Sequence, residues 1–330
     1  MIRYLLRRFG LALLTIWAIS MVAFLIIQLP PGDYITTYIS RLGEAGTSTS
    51  EQQLAILREQ YGLDQPLWVQ YGKWMSLVLQ GQFGLSLLYV RPVADVVGER
   101  LALTMVVSIA ALAFTWILAI PIGIYSAVRQ YSIGDYVFTI VGFIGLAVPS
   151  FLLALVLLYL SFVYFGANIG GLFSPEFEDA PWSVAKLMDL LGHLPIPALV
   201  LGSAGTAQLV RVLRANLLDE LRKPYVTTAR AKGLSEQVLI SKYPVRVALN
   251  PFASTIGFVF PTIVSGSIII STVLSLPTVG PVLLAALQAQ DMFLAGAIVL
   301  LLGVMTVIGT FVSDLILAWL DPRVRRARAA

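Results

Sequence analysis

The chain has 330 residues, of which 58% are hydrophobic and only 12% charged, whereas a soluble domain carries about a quarter charged. That balance excludes an ordinary soluble fold. The net charge of +4 calls for no nucleic-acid partner, because topology and anionic membrane lipid account for it. With no cysteine, disulfides are excluded.

A helix crosses a bilayer core with ~20 apolar residues. Runs of that kind lie near 9–29, 101–128, 137–165, 194–213, 252–275 and 293–320. Backbone polar groups find no water in lipid, so each run is predicted to be helical; the short alternating segments of a β-barrel are absent from the sequence. The expected fold class is an all-α integral membrane protein of six transmembrane helices. It forms a single domain over 1–330, with an outer 30–100 segment and a cytoplasmic loop over 214–251. Arg3, Arg7 and Arg8 precede the first run as in a signal peptide. The run exceeds a usual signal core, however, and ends Ile27-Gln28-Leu29-Pro30 without a small-x-small cleavage site. It is expected to be retained.

Basic residues set the orientation. With the N-terminus inside, sixteen of the 22 Lys and Arg residues fall on the inner side, and five of the remaining six lie in the 30–100 segment, too long to weigh in the positive-inside rule. Both termini are therefore expected in the cytoplasm. The outer segment opens with Pro30-Pro31-Gly32-Asp33, a turn signature, and Ser50 with Gln53 suggests a capped helix toward Tyr61. A second amphipathic stretch, 66–79, places Trp68, Tyr71 and Met75 on one face. These helices either cover the outer membrane surface or meet the pathway mouth or a soluble partner. In the acidic 166–194 loop, His193 is the only histidine and has no ligand-spaced neighbours; it reads as structural, and no metal site is expected.

The spans carry little catalytic chemistry. There is no G-x-x-x-x-G-K-[ST] phosphate loop, and no paired intramembrane carboxylates suggest a proton relay. Asp314 lies inside the last run, where a charge marks a candidate site, but it is near enough to the end to reach the interface or meet a basic residue. The fourth and fifth runs hold hydroxyls and amides, among them Thr206, Gln208, Thr262 and Ser265. Such groups act as glue between helices or line a path for a polar solute. Pro121, Pro149, Pro195, Pro197, Pro261 and Pro277 are expected to mark kinks or ends.

The loop after the fourth run reads Pro224-Tyr-Val-Thr-Thr-Ala-Arg-Ala-Lys-Gly233-Leu-Ser-Glu-Gln. Pro224 suits a first helical turn, and Thr227, Thr228, Ala229 and Ala231 form a thin surface that permits close approach. Gly233 fits a left-handed stop, and Ser235 with Glu236 suits the start of a second helix. Pro244 and Asn250-Pro251 end the loop. Two short helices hinged at a glycine suit insertion into another protein.

At these residues the sequence resembles the permease subunits of ATP-binding-cassette importers, in the dipeptide/oligopeptide (peptide, opine, nickel) branch. That branch's loop wording Tyr-Val-x-Thr-Ala-Arg-Ala-Lys-Gly is matched by Tyr225–Gly233, with Thr227, Thr228 and Ala229 on the three leading positions of the Glu-Ala-Ala pattern. Pro31-Gly32-Asp33, Tyr61–Pro66, Gly81–Ser86, Arg91-Pro92-Val93 and Asp321-Pro322-Arg323 resemble further signatures of the family, while Arg246-Val-Ala-Leu-Asn250-Pro251 and Pro244 depart from it. The resemblance implies a type I importer fold in a prokaryotic inner membrane. It implies a coupling helix formed by Tyr225, Thr227, Thr228, Ala229, Arg230, Ala231 and Lys232 with Gly233 as hinge. It implies as partners two ATPase subunits that bind ATP and Mg, a second homologous permease and an extracytoplasmic solute-binding protein. The chain itself would be no enzyme, and the cargo would be a di- or oligopeptide or an oligosaccharide. A self-sufficient ion-coupled transporter or channel is the alternative.

Overall fold

The computed structural model describes residues 2–28, 65–166 and 169–320, apart from the side chains of 2–5, 165, 257–267 and 318–320. The expectations for Pro30–Asp33, for the helix toward Tyr61 and for Asp321–Arg323 lie outside the described residues. In chain order the helices are α1 (Ile2–Gln28), α2 (Leu67–Leu79), α3 (Val93–Val128), α4 (Ile133–Ala147), α5 (Ser150–Phe165), α6 (Val184–His193), α7 (Pro195–Leu221), α8 (Pro224–Ala231), α9 (Glu236–Lys242), α10 (Pro244–Ala248), α11 (Asn250–Val273), α12 (Val279–Gln288) and α13 (Met292–Leu320). The described residues hold one sheet, an antiparallel pair of two-residue strands, β1 (Leu85–Ser86) and β2 (Arg91–Pro92), with Leu85 opposite Pro92.

Among the described residues, four helices are long and apolar enough to cross a membrane: Leu6–Gln28, Val93–Val128, Pro195–Leu221 and Met292–Leu317. The fifth apolar run of the sequence falls on α11, a helix of 24 residues, about 36 Å long at the α-helical rise. The run at 137–165 is not one straight span: α4 and α5 meet at 100°. The cause is local. Proline crowds the residue before it out of helical geometry, and Val148, which precedes Pro149, sits at φ −80, ψ 121. Pro121 has no such effect and lies inside an unbroken α3. Two boundaries also move. Helix α3 begins at Val93 with Asp95 in its first turn, where an acidic side chain meets the positive helix end, and α7 runs past 213 to Leu221. The 276–292 connection contains α12, whose Val279, Val282 and Ala286 are buried.

The described chain divides into two compact units. The first comprises Met1–Ala12, Leu103–Pro277 and Met305–Ala330. Its hub is α7, which packs against α4, α5, α6, α10 and α11. One apolar cluster joins Val107, Ala154, Leu190, Val200, Ile270 and Leu274; another joins Ala119, Leu209, Leu213, Leu217, Val245 and Phe252. Lipid offers little hydrophobic drive between helices, so close contact and polar bridges hold them together. Thr115 Oγ1 donates to the Gly202 carbonyl at 3.2 Å, Trp116 Nε1 to Thr255 Oγ1 at 3.2 Å, and Ser313 Oγ to the Ala253 carbonyl at 2.7 Å. Asp314, the acidic residue of the last run, pairs with Arg8 at 2.7 Å.

The second unit comprises Leu13–Ala102 and Thr278–Val304. Here α2 lies on α1 through Gln70 and Trp74, the buried residues of its inner face. Trp74 stacks near Phe24, the Tyr71 hydroxyl lies 2.7 Å from Ser20 Oγ, and Gln28 donates to Gln70 at 2.9 Å. Trp68 is exposed, so it does not share the inward face. Asp291 is fully buried. Its Oδ2 accepts from Ser86 Oγ at 2.6 Å and from the Leu88 N–H at 3.0 Å, while Oδ1 accepts from the Leu294 N–H at 3.2 Å. One carboxylate thus starts α13 and pins the hairpin to it.

Two outcomes are expected. A Cβ at Gly202 would lie 2.9 Å from Phe114 and 3.0 Å from the Ala111 carbonyl, so Gly202→Ala is expected to lower stability in detergent by about 1–3 kcal/mol. Asp291→Ala removes a helix cap and strands a buried hydroxyl and amide, for about 2–4 kcal/mol; thermal unfolding of the solubilised protein measures both.

Candidate functional site

The segment after α7 is where the sequence places its unusual surface. Lys223 is extended at φ −74, ψ 148, and Pro224 then opens α8, where its missing N–H costs no helical bond. Val226 is fully buried, whereas Thr227, Thr228, Arg230, Ala231, Lys232 and Gly233 are exposed, Tyr225 is exposed at the edge and Ala229 is half-buried. The helix is therefore held by one apolar anchor and offers its remaining surface outward. It ends as the glycine predicts. Gly233 takes φ +80, its N–H reaches the Arg230 carbonyl at 3.0 Å, and the Leu234 N–H reaches back to Ala229 at 3.4 Å. Residues with a Cβ pay to enter this left-handed region.

The rest of the loop is fixed. Leu239 of α9 and Val245 and Ala248 of α10 are buried. Val245 and Ala248 join the cluster that holds Leu213 and Leu217 of α7. A third helix, α10, exists where two were expected, because Pro244 restarts the chain after Tyr243 at φ −114, ψ −76. Ser235 has the extended backbone of a cap but its side chain makes no capping bond. Glu236 turns back to Arg230 instead, with contacts of 2.5 and 3.1 Å across the Gly233 bend.

Charges tie α8 to α7. The buried Glu220 in the last turn of α7 accepts the Tyr225 hydroxyl at 2.6 Å and pairs with Lys223. Burial, and then the Glu220 carboxylate, pushes the Tyr225 hydroxyl well above its usual range, so it stays a donor. Six residues before Glu220, Arg214 binds Asp135 at the start of α4 through two contacts of 3.0 and 2.8 Å. Asp135 also accepts the Tyr131 N–H at 2.9 Å, and Ser132 Oγ caps its own amide at 3.2 Å. The sequence reading missed this latch, although Ser132-x-x-Asp135 is a capping-box pattern. Glu220 carries no comparable signal.

The candidate pathway residues fare differently. Thr206 Oγ1 donates to the Gly202 carbonyl of its own helix at 2.8 Å and is half-buried. Gln208 is exposed, on a stripe of α7 with Gly205, Arg211, Ala215 and Asp219. Arg211 in that stripe lies 5.7 Å from the Phe143 ring centre. Thr262 and Ser265 fall within α11, and their side chains lie outside the described residues. His193 Nδ1 lies 2.8 Å from the Asp189 carbonyl, a structural contact at the end of α6.

The hinge pair gives a pH dependence with a definite sign. The hydrogen bond and charge of Arg230 hold the Glu236 carboxyl below its ordinary 4.5, so the pair is present at neutral pH and is lost as pH falls through the lowered value. Amide exchange over 233–241, corrected for intrinsic rates, is expected to quicken on acidification below the ordinary carboxylate range and to stay flat there in Glu236→Gln. Equal profiles would count against the pair.

Comparison with known proteins agrees with this architecture. Residues 119–326 match the family described as binding-protein-dependent transport system inner membrane component, and residues 1–110 match the N-terminal membrane component of such systems. A Brucella ovis protein described as a peptide permease is 34% identical over 98% of this chain and 99% of its own length. The oligopeptide transport system permease protein AppB of Bacillus subtilis is 32% identical over 98% and 99%. The dipeptide transport system permease protein DppB of Escherichia coli K12 is 30% identical over 99% and 100%. The chain belongs to the binding-protein-dependent transport system inner membrane component family.

Proposed function

We propose that this membrane protein is the permease of an ATP-driven importer and that α8 is the helix through which separate ATPase subunits move it. The carrying observation is the contrast within the loop: α8 presents exposed Thr227, Thr228, Arg230, Ala231 and Lys232 while Val226 is buried and the Glu220–Tyr225 bond ties its base to α7. A force on the exposed face passes directly into the hub helix. Two ATPases that close on ATP and Mg would push two such helices, one from this chain and one from a homologous permease. The bundle would then alternate between inward- and outward-facing states. The charge count of the loop supports cytoplasmic termini, and a solute-binding protein would dock on the opposite side.

The relatives' names support a peptide cargo, with an oligosaccharide as the other polar oligomer of suitable size. Thr206, Gln208, Thr262 and Ser265 would face the path. An ion-coupled transporter is the weaker reading, because carboxylates such a mechanism would use are already engaged: Asp314 with Arg8 and Asp135 with Arg214.

The test separates coupling from folding. Gly233→Val forces a β-branched residue into the left-handed region, a strain of about 1–2 kcal/mol or more, at a position where the added Cβ itself meets nothing within 4 Å. With Ala229→Glu it is expected to reduce ATP-driven peptide uptake in proteoliposomes at least tenfold. Insertion and ATP hydrolysis by the assembled complex should persist. Uptake at the native rate in both variants would refute the role of α8.

A further inference from the structure

Helix α6 is built inside out. Its exposed positions are Val184, Ala185, Leu187, Met188, Leu191 and Gly192, none of them charged. Val184 is 79% exposed and Met188 64%. Its charged residues turn the other way. Lys186 is buried, donates to the carbonyls of Ala180 at 2.6 Å and Glu178 at 3.2 Å, and lies 4.8 Å from the Phe173 ring centre. Asp189 accepts from the Ser174 hydroxyl at 2.6 Å and its N–H at 2.8 Å, and His193 folds back on Asp189. A helix with its charges inward and a Val184–Leu187–Met188–Leu191 stripe outward is the reverse of what water selects.

We propose that α6 lies in the outer interface of the bilayer, with this stripe in the acyl boundary and its axis along the membrane plane. Three observations favour lipid as the occupant. Only Leu194 separates α6 from α7, a membrane-crossing candidate, so the stripe begins where that span enters the bilayer. The preceding helix α5 ends with Tyr159, Phe162, Val163 and Tyr164 all exposed, a second apolar surface of the same unit. Trp182, 65% exposed, sits just before the helix, and indole rings favour the headgroup level. Beside them Glu176, Glu178 and Asp179 are exposed on the preceding loop, which places the water side there. Interfacial helices have this division between an apolar face and a polar one; here the polar groups are bonded to the 174–180 loop, so the loop is held at a fixed height above the bilayer.

The chain contains no cysteine, which makes the test direct. Met188→Cys and, as a water-side reference, Asp179→Cys would each carry a nitroxide label in the full-length chain assembled with its partner subunits in phospholipid vesicles. Collision rates with oxygen and with a neutral water-soluble nickel chelate are then compared. Position 188 is expected to collide severalfold more with oxygen than with the chelate, and position 179 the reverse. A chelate-accessible position 188 would overturn the proposal. So would a position 188 shielded from both reagents, which would assign the stripe to a protein partner. Native ATP-driven uptake in Met188→Cys confirms that the labelled helix is in its working form, and the result is independent of the role of α8.

Discussion

The first unit depends on α7 being one uninterrupted helix from Pro195 to Leu221. In an apolar solvent a helix end is costly, because each unpaired backbone group forfeits a hydrogen bond that lipid cannot replace. Carrying the helix eight residues past 213, the end expected from hydropathy, moves its last carbonyls to a place where Lys223 and Arg222 can turn back onto them, with N–H contacts of 3.1 and 3.4 Å. The same extension brings Leu217 into the cluster that fixes α10 and delivers Glu220 to the base of α8. The loop is therefore a continuation of the hub rather than a tether.

A second regularity follows from the same solvent. Three buried or half-buried charges within or near the spans are engaged by partners inside their own unit: Arg8 with Asp314, Arg214 with Asp135, and Asp291 with the hairpin and the start of α13. A buried pair repays its desolvation only when its geometry is good and its remaining lone pairs are satisfied. Asp135 meets that condition through Arg214 and Tyr131 together. Such pairs contribute little net stability compared with apolar replacements, but they are directional. Asp135–Arg214 sets where α4 starts relative to α7, at the end of the hub nearest α8.

Much of this is legible in the sequence, and the boundary between what is and what is not has physical causes. The apolar runs locate the helices because lipid allows no other backbone arrangement. Pro224 and Gly233 locate α8 because a missing N–H and a left-handed φ act within one residue. Pro149 and Pro121 have the same chemistry and opposite outcomes: one breaks a span by 100° and the other sits in an unbroken helix, a choice that tertiary neighbours make and local preference does not. The Ser235 side chain, a good cap by type, makes no cap bond, while the neighbouring Glu236 reaches Arg230 across the bend. The inverted polarity of α6 is equally hidden, since a sequence shows an amphipathic helix without showing which face is inward.

These features bear on how motion would travel. Element pairs coupled through side chains can be displaced together only if the joints are stiffer than the surfaces they move. In α8 the joint to α7 is the Tyr225–Glu220 bond, Val226 beside it is sealed from solvent, and the remaining surface is short and exposed on its outer side. The far end of the helix terminates at Gly233, where the Arg230–Glu236 contact closes the bend from outside. An exposed pair of this kind is weak and screened by salt, so it yields before the buried base does. α8 is accordingly tied to α7 at its base and packs against α9 along the loop. The hub to which it is tied touches α4, α5, α6, α10 and α11 at once.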